Sequence, residues 1–214
     1  MTRSKTTTTR TSRRAGEGYS PVETRNSLLA SALALFERRG YPATSVEDIV
    51  TGAGLTKGAF YHHFGSKEEV LQIIHDTYID KELEVVERIL ADFDDPRDRL
   101  RELIRTSVED LGEYRSHISV YMQDRRYLTG DRRKAVAAKR EAIDKAFRSA
   151  IEDGVERGYF RADVTPRLAG LGIIGMCGWV IQWWRPEGSP ELPQIADEYS
   201  RLILTGLAAD GAPD

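Results

Sequence analysis

Apolar and polar residues follow a helical period in this chain from about Pro21 almost to its end. In each segment the apolar residues recur three or four positions apart, which places them on one face of an α-helix. No segment shows the two-residue alternation of a half-buried strand. We therefore predict an all-α fold. The apolar stripes cover positions 22–36, 71–89, 100–111, 118–122 and 136–155.

The segment from Thr44 to Val70 has the pattern of a helix-turn-helix unit. Apolar residues at positions 46, 49 and 50 share one face of a short helix, and Thr44 or Ser45 can cap it. Gly52 and Gly54 then break this helix, because glycine adopts the left-handed conformation at little cost.

A second and a third helix follow this corner at once. Thr56 can cap the second helix, on which Phe60 and Phe64 lie four positions apart and face the core. Ser66 can cap the third helix, and Glu69 completes an S-x-x-E capping box. The second helix of such a unit enters the major groove of DNA, so the sequence predicts a DNA reader.

The first residues of that second helix are expected to meet base edges. The hydroxyl of Thr56 can donate or accept, and Lys57 can reach O6 and N7 of guanine. Gly58 and Ala59 lack bulk and would let the helix backbone approach the groove. The alternative for these two small residues is that they only fill a helix.

Three further side chains suit the DNA backbone. The phenol of Tyr61, the imidazole of His62 and the ammonium of Lys67 can bind phosphate oxygens. Lys67 also lies at a predicted helix N-terminus, where free N–H groups favour an anion. The alternative for Tyr61 is a half-buried packing role.

The block from Leu28 to Leu71 resembles the N-terminal domain of the TetR family of bacterial transcriptional repressors. The matching sequence is ALALFERRGYPATSVEDIVTGAGLTKGAFYHHFGSKEEVL, from Ala32 to Leu71. The resemblance implies three DNA-reading helices, a fourth that links them to a helical ligand-binding domain, a symmetric dimer, and a DNA contact by Thr44. The predicted DNA-contact set is Thr44, Ser45, Thr56, Lys57, Gly58, Ala59, Tyr61, His62 and Lys67.

Two later segments resemble a branch of actinobacterial regulators of lipid and steroid-ring catabolism that respond to coenzyme A thioesters. They are GYFRADVTPRLA, from Gly158 to Ala169, and WWRPEG, from Trp183 to Gly188. This second resemblance implies an acyl-CoA thioester as the small-molecule effector.

The chain divides into a tail and two domains in this interpretation. Residues 1–21 form a basic tail that is expected to be disordered when free, residues 22–66 the helix-turn-helix domain, and residues 67–210 the ligand-binding and dimerisation domain, with 67–93 as the linking helix. The formal net charge is −3, yet residues 1–22 hold five cationic side chains against one carboxylate. Attraction to DNA must therefore be local. The tail could follow a minor groove or remain a solvated segment.

The segment from Leu168 to Trp184 carries no formal charge. It lies at the lower edge of the length that spans a bilayer, but its four glycines argue against a membrane span. A helix that is apolar all round is otherwise buried in a core or an interface. We predict that it forms a homodimer interface together with the final helix, from about Leu192 to Leu207.

Aromatic and sulfur side chains in the second half are candidates for an effector pocket, although ordinary core packing is the better explanation for most of them. Arg125, Arg126, Arg132 and Arg133 could meet coenzyme A phosphates or could be a solvated face. The predicted ligand-binding set is Tyr114, Tyr121, Met122, Arg125, Phe147, Trp179 and Trp183.

Catalysis, metal binding and cofactors are not expected. The adjacent His62 and His63 point about 100° apart on a helix and cannot share one metal ion. Cys177 lies in an apolar run, where a thiol packs and does not react. The single cysteine and the lack of an N-terminal apolar segment predict a cytoplasmic protein.

Two functions of different classes fit these observations. The first is a repressor that a small-molecule effector, of the acyl-CoA type in the second resemblance, releases from a palindromic operator in double-stranded DNA. The second is a constitutive dimeric DNA-binding or scaffolding protein without an effector. A large cavity lined by Tyr121, Phe147 and Trp179 would favour the first, and a filled core would favour the second.

Overall fold

The computed structural model describes residues 20–211, and the regular structure in that range is helical apart from one isolated bridge between Phe160 and Ala208. The all-α prediction is confirmed. The basic tail was predicted for residues 1–21, and residues 1–19 of it lie outside the described residues. The helices are α1 (Pro21–Arg39), α2 (Val46–Ala53), α3 (Lys57–His63), α4 (Lys67–Asp92), α5 (Pro96–Glu109), α6 (Leu111–Asp124), α7 (Gly130–Glu156), α8 (Pro166–Trp183) and α9 (Leu192–Leu207), with a 3₁₀ turn at Arg125–Tyr127.

Side-chain caps and glycines fix the ends of α2. Of the two candidate caps Ser45 is the one used: its hydroxyl accepts from the Asp48 N–H, and the Asp48 carboxylate accepts from the Ser45 N–H in return. Gly54 ends the helix with a φ of 67°, in the left-handed region. Gly52 lies inside α2 against α1, where a Cβ would meet the Ser31 hydroxyl at 2.5 Å.

A shared core holds α1, α2 and α3 together as a reading unit. Phe36, Ile49 and Phe60 are fully buried in it, and Phe64 closes it behind α3. Burying such side chains stabilises a fold by about 1.5–3 kcal/mol each. The core fixes the angle between α2 and α3, and α3 presents its opposite face to solvent.

Helix α4 joins the reading unit to the rest of the chain. Its N-cap is Ser66, whose hydroxyl accepts from the Glu69 N–H at 3.1 Å. The Glu69 carboxylate accepts from the Gly65 N–H, one residue before the partner that a standard capping box would give. The early turns enter the reading unit's core, and the helix also packs against α6 and α7.

The second half of the chain is a helical bundle in which α5 contacts α4, α7, α8 and α9. The break before α6 comes earlier than the predicted interruption at Gly112, because α5 ends at Glu109 and α6 begins at Leu111. Asp110 between them keeps helical φ and ψ, so this break does not need a glycine. Helix α6 then kinks at Tyr114, which has a φ of −102° and a ψ of 16°.

Helices α8 and α9 complete the bundle. The connection before α8 is tied to the end of α9, since the Arg161 N–H donates to the Leu207 carbonyl at 2.9 Å. Phe160 is buried there against Gly154 of α7. Within residues 20–211 no helix has the length and apolar character needed to cross a membrane.

The variant Gly154→Ala is expected to destabilise the fold by about 1–3 kcal/mol. A Cβ at this position would lie 2.2 Å from the buried Phe160 ring, which has no room to move away. The control is Gly58→Ala, because a Cβ there meets only the Thr56 hydroxyl at 3.7 Å and alanine favours a helix. Urea unfolding measures both variants, and equal stabilities would contradict this contact.

Candidate nucleic-acid interface and effector cavity

The exposed face of α3 begins with a capped turn. The Thr56 hydroxyl accepts from the Ala59 N–H at 3.2 Å, which orders the helix start. Lys57 and Gly58 are exposed, and Ala59 is half-buried. A bulky partner such as a DNA groove can therefore approach the backbone of this turn closely.

Tyr61 and His62 extend the same exposed face. Tyr61 is 59% exposed, and its ring packs edge-on against the buried Phe60 at 5.3 Å. His62 is exposed and packs edge-on against His63 at 5.0 Å. The polar atoms of Tyr61 and His62 therefore reach solvent, while each ring packs against a neighbouring ring.

Thr44 lies behind this surface. It is 1% exposed, and its hydroxyl donates to the Gly40 carbonyl at 3.0 Å. Ser45 is exposed, but its hydroxyl donates to the Asp48 carboxylate at 2.6 Å. The buried position of Thr44 argues for a structural role in the loop between α1 and α2, in place of the DNA contact that the resemblance implied.

Lys67 is also turned inward. Its ammonium donates to the carbonyls of Tyr41 at 2.8 Å and Thr44 at 2.5 Å, and it lies 4.1 Å from the centroid of the Tyr41 ring. Burial lowers the pKa of this ammonium, which the nearby carboxylates of Asp124 and Asp48 partly oppose. Lys67 clamps the loop that precedes α2, so its cation is not free for a phosphate in this conformation.

An apolar cavity of about 290 Å³ lies between α4, α6, α7 and α8. Its size is close to the lower end of the range for small-molecule sites. Three of the predicted ligand residues, Tyr121, Met122 and Arg125, line it. The apolar wall is completed by Leu111, Ile118, Leu171, Ile174 and Cys177.

A buried ion pair interrupts this apolar wall. Arg140 donates to the Glu82 carboxylate at 2.7 Å, and Asp144 lies 3.6 Å from the same guanidinium. Burial raises the pKa of Glu82, and the Arg140 cation acts in the opposite direction. The hydroxyl-bearing ring of Tyr78, buried beside Glu82, belongs to the same lining. The cavity thus offers a few fixed polar groups in apolar surroundings.

A second cavity, of about 390 Å³, adjoins the first and shares Tyr121, Arg125, Arg140 and Asp144 with it. Its wall adds the guanidinium groups of Arg126 and Arg133. The wall thus holds four arginines against the carboxylates of Glu141 and Asp144, an excess of cations that would attract an anion.

The arginines at this wall differ from their neighbour Arg132. That residue donates to Gln72 at 2.7 Å and lies 3.8 Å from the Glu69 carboxylate. Among residues 20–211, by contrast, no carboxylate lies within ion-pair distance of Arg126 or Arg133. Their charges are available to a ligand, whereas that of Arg132 is used inside the protein.

The end of α6 connects the cavity wall to the reading unit. Asp124, buried two residues after Met122, accepts from the Tyr41 N–H at 2.9 Å. The Tyr127 ring stacks on the Tyr41 ring at 5.6 Å with an angle of 27°. Burial raises the pKa of Asp124, which the hydrogen bond from the Tyr41 N–H partly opposes. A movement of α6 would therefore reach the loop before α2 directly.

A second contact, apolar in character, links α4 to the cavity wall. His75 of α4 is fully buried, and neither of its ring nitrogens has a hydrogen-bond partner among the described residues. Its ring packs edge-on against Tyr121 of the cavity wall at 5.3 Å. Burial lowers the pKa of His75 to about 4, so the ring is neutral near pH 7.

Helices α8 and α9 leave an apolar face uncovered. Leu168, Trp179 and Leu202 are 67%, 61% and 64% exposed, respectively. A groove of about 310 Å³ lies between the two helices on this face, next to Gly172 and Gly206. Contiguous apolar surface of this kind marks a protein interface.

Comparison with known proteins decides the identity. The family model described as "Bacterial regulatory proteins, tetR family" matches residues 28–74. The model described as "Tetracyclin repressor-like, C-terminal domain" matches residues 94–207, more than half of the chain. The chain belongs to the TetR family. It is a DNA-binding transcriptional regulator, and ligand-responsive repression fits its named relatives.

Relatives of this TetR regulator include named repressors. The HTH-type transcriptional repressor KstR2 of Rhodococcus jostii is 33% identical over 190 residues, which cover 86% of this chain and 91% of the relative. The structure of the ketosteroid transcriptional regulator KstR2 of Mycobacterium tuberculosis matches with a TM-score of 0.81 and 29% identity, covering 92% of this chain and 100% of that one. AibR in complex with isovaleryl coenzyme A and operator DNA matches with a TM-score of 0.77 and 26% identity, covering 85% and 98%.

Four residues of the predicted ligand-binding set lie outside the cavity lining of this TetR regulator. Phe147 is 1% exposed in the core, and Tyr114 packs against Tyr78 at 5.8 Å. Trp179 and Trp183 lie on the outer side of α8, where they are 61% and 40% exposed. The physical reason is that aromatic residues serve cores and interfaces as readily as pockets.

Sequence reasoning missed the buried polar residues of the lining. Glu82, Arg140 and Asp144 were not among the predicted ligand residues, although Arg140 and Asp144 lie four apart on α7. A signal was present: Glu82 occupies the inward face of α4, between Tyr78 and Val85 of the predicted stripe. A carboxylate in that position needs a buried cation as its partner.

The variant Gly58→Ala is expected to weaken DNA binding while leaving the fold at least as stable as the wild type. The free protein has room for the methyl group, and alanine favours the helix. If the α3 backbone approaches the groove closely at this turn, the same methyl group meets DNA. Titration of a labelled duplex, with unfolding measured in parallel, separates the two effects, and unchanged DNA affinity would show that close approach does not occur here.

Proposed function

We propose that this TetR regulator represses transcription from a palindromic operator in double-stranded DNA and is released by a coenzyme A thioester. The observation that carries the proposal is the pair of adjoining cavities, one apolar and one lined by arginines. The apolar cavity suits an acyl group. The arginine-lined cavity suits the phosphates of coenzyme A, since guanidinium groups bind phosphate through paired hydrogen bonds.

The contacts between the two cavities support this assignment. Tyr121, Arg125 and Arg140 belong to both walls, so one elongated ligand can occupy both at once. The end with the phosphates would reach Arg126 and Arg133, which have no carboxylate partner among the described residues. AibR, which is similar in structure, binds isovaleryl coenzyme A and operator DNA.

In this proposal the protein acts as a dimer that carries two reading units. TetR regulators are dimers, and the apolar face of α8 and α9 is the surface on which a second copy would pack. Burying Leu168, Trp179 and Leu202 between two chains would remove them from water. Two recognition helices would then meet major grooves one helical turn apart, about 34–36 Å.

Effector binding is transmitted through the end of α6. A ligand that moves Met122 and Arg125 moves Asp124 between them, and Asp124 holds the Tyr41 N–H. The loop at Tyr41 in turn sets the start of α2. A shift of a few ångströms in α3 would move the two recognition helices out of register with successive major grooves. The protein would then leave the operator.

The constitutive alternative has less support. A protein that only dimerises through its helical half has no need for an apolar cavity with unpaired arginines beside it.

The cavity serves binding and not catalysis in this proposal. We place the protein in the cytoplasm, where a bacterial regulator meets its DNA. The domain bounds 22–66 and 67–210 keep the reading unit and the effector unit apart, with α4 as the link.

The double variant Arg126→Ala, Arg133→Ala is expected to weaken binding of an acyl-CoA probe by about tenfold or more, because two charge-assisted contacts to phosphate are lost. Isothermal titration with free coenzyme A, isovaleryl-CoA and octanoyl-CoA measures the effect. The control is Arg101→Ala, a half-exposed arginine on α5 paired with Asp98. Absence of binding by all three probes, or equal affinities in both variants, would contradict the proposal.

The variant Asp124→Ala is expected to remove most of the response of DNA binding to the bound thioester. A hydrogen bond from a backbone N–H to a carboxylate contributes about 1.5–3 kcal/mol, and coupling between sites in allosteric proteins is of the same size, about 1–3 kcal/mol. The control is Asp124→Asn, which keeps an acceptor for Tyr41. DNA affinity with and without the thioester is the readout, and a full response in Asp124→Ala would exclude this route.

A further inference from the structure

We infer that Glu47 is a specificity-determining residue, which together with Lys57 reads one G·C base pair in each half-site of the operator. The inference starts from an ion pair on the exposed face of the reading unit. The Lys57 ammonium lies 2.6 Å from the Glu47 carboxylate, and the two side chains are 59% and 63% exposed. Lys57 is the first residue of α3, and Glu47 is the second residue of α2.

The fold makes limited use of Glu47, which lies in the first turn of α2, where a carboxylate interacts favourably with the helix N-terminus. The neighbouring Asp48 supplies the capping box of α2 and lies 3.1 Å from Arg39. Glu47 has Lys57 as its partner, and an exposed ion pair of this kind adds little to stability. A carboxylate on a surface that faces DNA also repels phosphates. Its presence there is accounted for if it contacts a base.

The chemistry of a G·C pair matches the two groups. In the major groove guanine presents the acceptors N7 and O6, and cytosine presents the N4 amino donor beside them. O6 and N4 are hydrogen-bonded to each other within the base pair, so they lie about 2.9 Å apart. That spacing is similar to the 2.6 Å between the Lys57 ammonium and the Glu47 carboxylate.

Lys57 and Glu47 would therefore bind the G·C base pair while their own ion pair stays intact. The ammonium donates to O6 and N7, and the carboxylate accepts from the free N4 hydrogen. A T·A pair also places an acceptor, thymine O4, beside an amino donor, adenine N6. The discrimination therefore comes from guanine N7, because thymine presents its methyl group where guanine presents this second acceptor. The hydrogen bond to Glu47 also raises the pKa of Lys57.

Selection of binding sites from a random duplex library tests this inference with the full chain. We expect the wild type to enrich a G·C pair at one position of each half-site. In Glu47→Ala and in Lys57→Ala the preference at that same position should fall by about tenfold, within the range of one good base-edge contact. The preferences at other positions should be retained.

The two variants should differ in their affinity for non-specific DNA. Glu47→Ala removes a negative charge beside phosphates and should bind non-specific duplex more tightly, while Lys57→Ala should bind it more weakly. Glu87→Gln on α4 is the control for net charge, since Glu87 is exposed away from the reading face. A purely structural role of Glu47 would change unfolding and leave base preference intact.

The outcomes of these experiments distinguish G·C reading by Glu47 and Lys57 from the proposed operator binding as a whole. A G·C preference that survives in Glu47→Ala, or selection of A·T at the position that Lys57→Ala relaxes, would overturn the inference and leave DNA reading in place. A wild-type chain that enriches no sequence would overturn both. Loss of the preference in both variants, with opposite changes in non-specific affinity, supports the paired reading of G·C.

Discussion

The arrangement of this protein depends on the loop between α1 and α2, which two parts of the chain hold at Tyr41. Lys67, at the start of α4, donates to the Tyr41 carbonyl at 2.8 Å, and Asp124, at the end of α6, accepts from the Tyr41 N–H at 2.9 Å. These contacts involve a half-buried ammonium and a buried carboxylate, and hydrogen bonds to such charged groups are strong and costly to leave unmade. The orientation of the reading unit is therefore set by the same helices that form the effector cavity.

This constraint explains how one chain combines a sensor with a DNA reader. Met122 and Arg125 line the cavity, and Asp124 between them holds the reading unit. His75 adds a second contact, since its buried and neutral ring packs on Tyr121 of the same wall. Closely packed interiors switch between discrete arrangements and do not deform gradually. A ligand in the cavity can in this way favour one arrangement of α6 and α4 over another.

Local signals predicted the helices well, because caps and glycines act over a few residues. Ser66 caps α4 as predicted, and the structure selects Ser45 from the two candidate caps of α2 and Gly54 from the two glycines at its end. The direction of long side chains was not predictable in the same way. Lys67 and Thr44 suit DNA by residue type, yet contacts with residues more than twenty positions away, or with the preceding helix, turn them inward.

The cavity shows the same limit of sequence reasoning. Tyr121, Met122 and Arg125 were predicted because polar and apolar groups alternate on one short segment. Arg140 and Glu82 were not, since they meet only when α4 and α7 pack together. The central claim is that the effector and operator sites are coupled, and isothermal titration of isovaleryl-CoA with and without the selected operator duplex tests it. The account predicts that the duplex weakens thioester binding by the same factor by which the thioester weakens DNA binding, and equal thioester affinities in both titrations would contradict it.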